Sequence, residues 1–220
     1  MRKISTSTVV PDKENDLMSR RQIVLLAFAV AVGTLGPSVV AVSQADAYVL
    51  LGHGCRYDPS NDDDGLGIGF NTAAAGYNSD ENLRTQFAAS DWNARMVPQF
   101  TIVSYGASTR DLAVTWAPLG TNVGAQTSIP CGIDHWTADP VMTWSTNATY
   151  YLPKTANNQT AIAVHEIGHS FGLAHNNNTS CTGSIAGLMY TDAVAKYNTC
   201  HWITPTTDDV TGATHAHNGG

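Results

Sequence analysis

Positive charge is scarce in this chain. Its 220 residues include 11 Lys and Arg against 18 Asp and Glu, and only 13% are charged. From Tyr48 onward there are six basic and fourteen acidic residues, a net charge of −8 with histidines neutral. That deficit argues against nucleic acid and anionic membrane surfaces as partners, since both are bound through clustered cations. No internal repeat or interdomain linker is visible. Cysteine is sparse: Cys55, Cys131, Cys181 and Cys200 permit three pairings. The favoured one joins Cys181 to Cys200 and Cys55 to Cys131, because each bridge then ties together a neighbouring part of the fold. A free Cys55 acting as a metal-blocking thiolate is the alternative. Low charge density with many Asn, Thr, Ser and Gly residues is common in secreted domains with long ordered loops.

The one long apolar run lies near the N-terminus. Arg20 and Arg21 precede Ile23 to Val32, and Ala45-Asp46-Ala47 supplies the small residues that a signal peptidase reads. Residues 1–47 are therefore expected to be an export leader, and cleavage before Tyr48 leaves a length that suits one domain. The competing expectation is an uncleaved anchor, since Ile23 to Val42 nearly spans a bilayer, but Gly36-Pro37 interrupts it. Ser19-Arg20-Arg21 also resembles a twin-arginine signal. Four cysteines favour unfolded secretion, with disulfides made outside the cytoplasm. Met18 offers a second start that would shorten the leader.

Along the remainder, Tyr48 to Leu51 reads as an edge strand and Asp58 to Gly65 as a polar loop. Asn78 and Glu81 can cap a first helix reaching about Arg95. Thr101 to Tyr105, Leu112 to Trp116 and Val141 to Trp144 read as strands. Helices packed on a small sheet imply an α+β domain.

The decisive stretch is His165-Glu166-Ile167-Gly168-His169-Ser170-Phe171-Gly172-Leu173-Ala174-His175. On a helix, residues four apart lie about 40° apart around the axis and roughly 6 Å along it, so His165 and His169 can hold one metal ion. Ala163, Val164, Ile167 and Phe171 recur on the opposite side, giving the helix a buried back. Asn157, Asn158 and Thr160 offer capping groups upstream. Continuous helix would carry His175 about 15 Å beyond His165, so the chain has to turn. Gly172 allows this, because glycine accepts the left-handed conformation that ends helices. Three histidines then leave an open position on zinc, and Glu166 stands where it can exchange a proton with water there.

His165 to His175 resembles the zinc signature of the metzincin metallopeptidases, and Ser184 to Tyr190 fits their methionine turn. Met189 followed by Tyr190 is similar to the matrixin-type catalytic domain, as are Thr207 to Ala213, Phe87 to Trp92 and Met96 to Thr101. The resemblance implies a five-stranded twisted mixed sheet with three helices and an active-site cleft, spanning residues 48–220. It also implies a zinc endopeptidase with Met189 as a packing floor beneath the metal. Thr191-Asp192 stands where matrixins usually carry a proline after Met-Tyr, and no Pro-Arg-Cys-Gly latency motif is present. Thr191 also argues against astacin-like and serralysin-like relatives, which place a tyrosine there.

The expected protein is thus a secreted, extracellular monomer. It would act on protein or peptide substrates with no stable membrane association after leader cleavage. A zinc-binding module without turnover, or an amidase acting on cell-wall peptides, are the alternatives. Asp62, Asp63 and Asp64 before Gly65 could bind calcium, although the spacing misses a calcium-loop motif. His53, His135, His201, His215 and His217 show no spacing that pairs them around a second metal.

Overall fold

In the computed structural model the residues described are 48–51, 55, 65–95, 100–132, 136–147, 155–183 and 186–218. Five strands form one mixed sheet: β2 (Leu66–Phe70), β3 (Phe100–Val103), β4 (Leu112–Ala117), β5 (Ala125–Ser128) and β6 (Val141–Ser145). Their order is β3-β2-β4-β6-β5. Every neighbouring pair is parallel except β5 and β6, which run antiparallel with Thr127 opposite Met142. An isolated ribbon pairs β1 (Val49–Leu50) with β7 (Leu173–Ala174). Tyr48 to Leu51 therefore forms an edge away from the main sheet.

Helix α1 (Ser79–Asn93) starts at Asn78, whose side chain accepts the backbone N–H groups of Asp80 and Glu81. This satisfies donors that the first helical turn leaves open. Glu81 itself turns inward and accepts the Trp116 indole N–H at 2.8 Å. Trp144 donates to the Thr85 hydroxyl at 3.0 Å, and Trp92 donates to the main-chain oxygen of Val164 at 3.1 Å. A buried tryptophan needs such a partner for its one polar atom. Through these three bonds α1 is fastened to β4, β6 and helix α2 (Ala156–Ser170).

The core lies where α1 and α2 meet the sheet, with Leu66, Ile68, Val114, Met142, Ala163, Val164, Ile167 and Phe171 all buried. The expected apolar back of α2 is present. Its N-cap is Thr155, which accepts from the Asn158 N–H at 3.2 Å, so the capping expected of Asn157, Asn158 and Thr160 falls to the residue before the helix. The fold is α+β, and the described residues contain four helices rather than three. The additional one, α3 (Ala193–Cys200), begins at Asp192, whose carboxylate accepts the Ala195 N–H. It precedes α4 (Thr207–Asn218). Disulfides join Cys55 to Cys131 and Cys181 to Cys200, which removes the free Cys55 alternative. No helix among the described residues is long and apolar enough to cross a membrane. Residues 1–47, with the leader and its alternatives, lie outside the described residues, as do Asp62 to Asp64, His53, His135, Ser184, Ile185 and Met96 to Gln99.

Candidate active site

Helix α2 holds His165 and His169 one turn apart, and the chain reverses directly after it. Gly172 has φ of +91°, and a side chain there would lie 2.4 Å from the main-chain oxygen of Cys55. Both facts call for glycine. The reversal leads into β7, held to the N-terminal segment by its pairing with β1 and by Leu51 N–H donating to Gly172 O at 2.8 Å. His175 follows β7 and meets the other two rings.

The three Nε2 atoms lie 3.1 Å from one another. These contacts are not ordinary hydrogen bonds. His165 Nδ1 lies 3.0 Å from Leu188 O and His169 Nδ1 lies 2.7 Å from Leu173 O. A carbonyl oxygen only accepts, so each Nδ1 carries the proton and each Nε2 presents a lone pair. Lone pairs facing each other at this distance repel unless a cation lies among them. Burial pushes the pKa of His165 well below the ordinary imidazole range, helped by the neighbouring His169. Burial and His169 likewise lower that of His175. Neutral imidazoles are the form that binds a metal. A tetrahedral zinc ion with nitrogens at about 2.0–2.1 Å would separate them by about 3.3 Å, close to what is found. The donor set therefore fits zinc, and among the described residues it is the one His/Cys/Asp/Glu cluster able to hold an ion.

Glu166 is buried, with 6% of its surface exposed. Burial raises its carboxyl pKa, and the opposing influences are His169 and hydrogen bonds from both the hydroxyl and the main-chain N–H of Thr127. Thr127 Oγ1 lies 2.8 Å from Glu166 Oε2 and 3.0 Å from the main-chain oxygen of the same residue. Both side chains line a cleft of about 620 Å³ that also contains the three imidazoles. A cavity of about 610 Å³ beside Cys181, Trp202 and Pro205 is as large but holds none of these groups, so volume does not locate the site and chemistry does.

Met189 is buried beneath the helix. A side chain at Gly168 would lie 2.6 Å from Met189 Sδ and 3.4 Å from Trp92, so glycine lets the thioether seat against α2. The turn is pinned from below. Leu188 N–H donates to both Asp209 oxygens at 3.0 Å, and Thr206 donates to Asp209 Oδ2 from its main chain and its hydroxyl, each at 2.8 Å. Asp209 N–H returns a bond to the Thr206 hydroxyl at 3.3 Å, which is a capping box at the start of α4. The Thr206-x-x-Asp209 spacing was a local signal for that cap. Its second use, holding the methionine turn, had none, and neither did the reach of Thr127 to Glu166.

Among the remaining histidines, His201 ends α3 in the left-handed conformation with φ of 58°. His215 lies beside Tyr48 with ring centres 5.7 Å apart and the rings tilted by 46°. Neither these nor His217 joins the cluster. A search of curated proteins finds no match. The family model described as Matrixin matches residues 71–217, which takes in α1, the main sheet from β3 onward, the histidine cluster and the methionine turn. The chain belongs to the matrixin family of zinc-dependent endopeptidases.

Proposed function

We propose that this protein is an exported zinc endopeptidase in which His165, His169 and His175 hold the ion and Glu166 is the general base. The observation that carries the reading is the convergence of three imidazole Nε2 atoms at 3.1 Å in the cleft that Glu166 lines. When bound, the ion would lower the pKa of a coordinated water toward neutrality and polarise a peptide carbonyl. Glu166 would accept the proton from that water as it attacks, then deliver it to the leaving amine. Its burial supports this role, because a carboxylate drawn upward in pKa is a better base. Leu188 O and Leu173 O fix the tautomers of two ligands, the outer partnership that metal-binding imidazoles require.

Substrate would enter as an extended chain. β5 pairs with β6 on one side only, and Ala125, Gln126 and Thr127 line the cleft with the histidine cluster. A peptide lying along that free edge can take main-chain hydrogen bonds. Cleft residues Ile162, Ala193 and Thr191 are uncharged, so neutral side chains are the expected neighbours of the cut bond. Export is supported by two disulfides, which persist in oxidising compartments. In this reading residues 1–47 are the leader and residues 48–220 the catalytic domain.

The test is Glu166→Ala with zinc content measured in parallel, since Glu166 is not a ligand. Zinc should be retained while casein hydrolysis falls by about 10,000-fold, the upper range for a group that serves both attack and departure. Equal cleavage by both proteins would remove Glu166 from the mechanism. A wild type that cuts neither casein nor broad peptide and cell-wall libraries would make this a binding module.

A further inference from the structure

We propose that Thr127 is a positioning residue, whose hydroxyl holds one oxygen of the Glu166 carboxylate so that the other is directed at the reacting water. This rests on Glu166 being the base. Glu166 has a flexible side chain in a cleft, and among the described residues the Thr127 hydroxyl is its one side-chain hydrogen-bond partner. That hydroxyl has a single hydrogen and two acceptors in reach, Oε2 at 2.8 Å and the main-chain oxygen at 3.0 Å. An ionised carboxylate is the stronger acceptor and lies nearer, so the hydrogen goes to Oε2. Oε2 is thereby engaged by the hydroxyl on the strand side, where the Thr127 main-chain N–H also meets the carboxylate, so Thr127 grips Glu166 from two points and turns Oε1 toward the proton transfer.

The tether is stiff at its own end. Threonine is branched at Cβ, which restricts its first torsion, and its main chain is locked in β5 opposite the fully buried Met142. Cys131, three residues beyond the strand, is bonded to Cys55. The strand that forms one wall of the cleft therefore also sets the base on the helix that forms the other. Among the described residues the Thr127 hydroxyl bonds to Glu166 and to none of the three histidines, so its loss should leave the histidine cluster intact. Misplacement of a reacting group by about 1 Å can cost about 100-fold in rate, and a carboxylate shared among several rotamers is misplaced part of the time.

The experiment compares the zinc-loaded wild type with Thr127→Val, which keeps shape and strand propensity, and Thr127→Ser, which keeps the hydroxyl. Zinc content should be equal in all three. On a quenched-fluorescent peptide taken from a casein cleavage site, Thr127→Val should lower kcat at least about 10-fold with KM within about 2-fold, and Thr127→Ser should stay within about 3-fold of wild type. Crystals of the three proteins give a readout independent of turnover: Glu166 should occupy one rotamer in wild type and Thr127→Ser, and a mixed population in Thr127→Val, where only the main-chain N–H of residue 127 still holds the carboxylate. A single unchanged Glu166 rotamer in Thr127→Val, or a serine variant as impaired as the valine variant, would overturn the proposal. If wild type proves inactive on every substrate, the assignment of Glu166 as base fails, and the rotamer comparison still decides the tether.

Discussion

Two of the three imidazoles are held by the helix that carries them, and the third is held by everything that follows Gly172. His175 is therefore the proposed ligand whose role is most exposed to test. Replacing it with alanine should lower zinc affinity by more than the roughly 10–100-fold that loss of an outer hydrogen-bond partner costs, because an inner ligand is removed. Metal analysis after dialysis against a weak chelator checks this, and undiminished zinc would take His175 out of the site. At this scale the sequence was legible where partners are near one another in the chain. His165 and His169 announce themselves by a spacing of four, and Gly172 by the need to turn. Thr127 meets Glu166 across 39 residues and Asp209 meets Leu188 across 21, so no local pattern marked either.

Among the elements, those with a strong period or a good cap could be read, and the strands that lack both could not. α2 has its apolar back and α1 its Asn78 cap, whereas β2 is Leu-Gly-Ile-Gly-Phe, whose two glycines weaken the β signal although all five residues are buried. β5 is Ala-Gln-Thr-Ser, a short edge strand with almost nothing apolar, yet it carries Thr127 into the cleft. α3 went unread because it has only eight residues and its packing is against α2. The element most sensitive to one substitution is the turn between α2 and β7. Gly172→Ala has to adopt φ of +91° and place a methyl 2.4 Å from Cys55 O. The left-handed conformation alone costs about 1–2 kcal/mol, and backbone does not yield as a side-chain tip does, so the total should exceed about 2 kcal/mol. Gly106→Ala is the control, since nothing lies within 4 Å of a side chain there. It should stay within about 0.5 kcal/mol of wild type. Urea midpoints for the two variants check the difference, and equal midpoints would mean that the turn is not strained by a side chain.

For the molecule as a whole, the two bridges act on different lengths of chain and on different sides of the cleft. Cys55–Cys131 spans 76 residues and links the segment just after β1 to the loop just after β5, so it ties the wall holding Leu51 to the wall holding Thr127 and Ile129. Cys181–Cys200 spans 19 residues and links the start of the loop before the methionine turn to the end of α3. In the chain-entropy account the longer loop restricts the unfolded state more, with about 4.5 kcal/mol expected for the first bridge and about 3.3 kcal/mol for the second. Both are large beside the roughly 5–15 kcal/mol by which a domain is stable. Paired Cys→Ser variants separate them: loss of Cys55–Cys131 should lower unfolding stability more by about 1 kcal/mol. It should also lower peptide hydrolysis more than zinc content, since it loosens the cleft walls while Leu188 O and Leu173 O still orient two of the imidazoles. Equal or reversed stabilities would show that native packing around Cys181 and Cys200, and not loop length, governs the order. Zinc lost in step with activity in the Cys55–Cys131 variant would show that the N-terminal segment supports the third ligand and not the cleft, because β1 pairs with the strand that leads to His175.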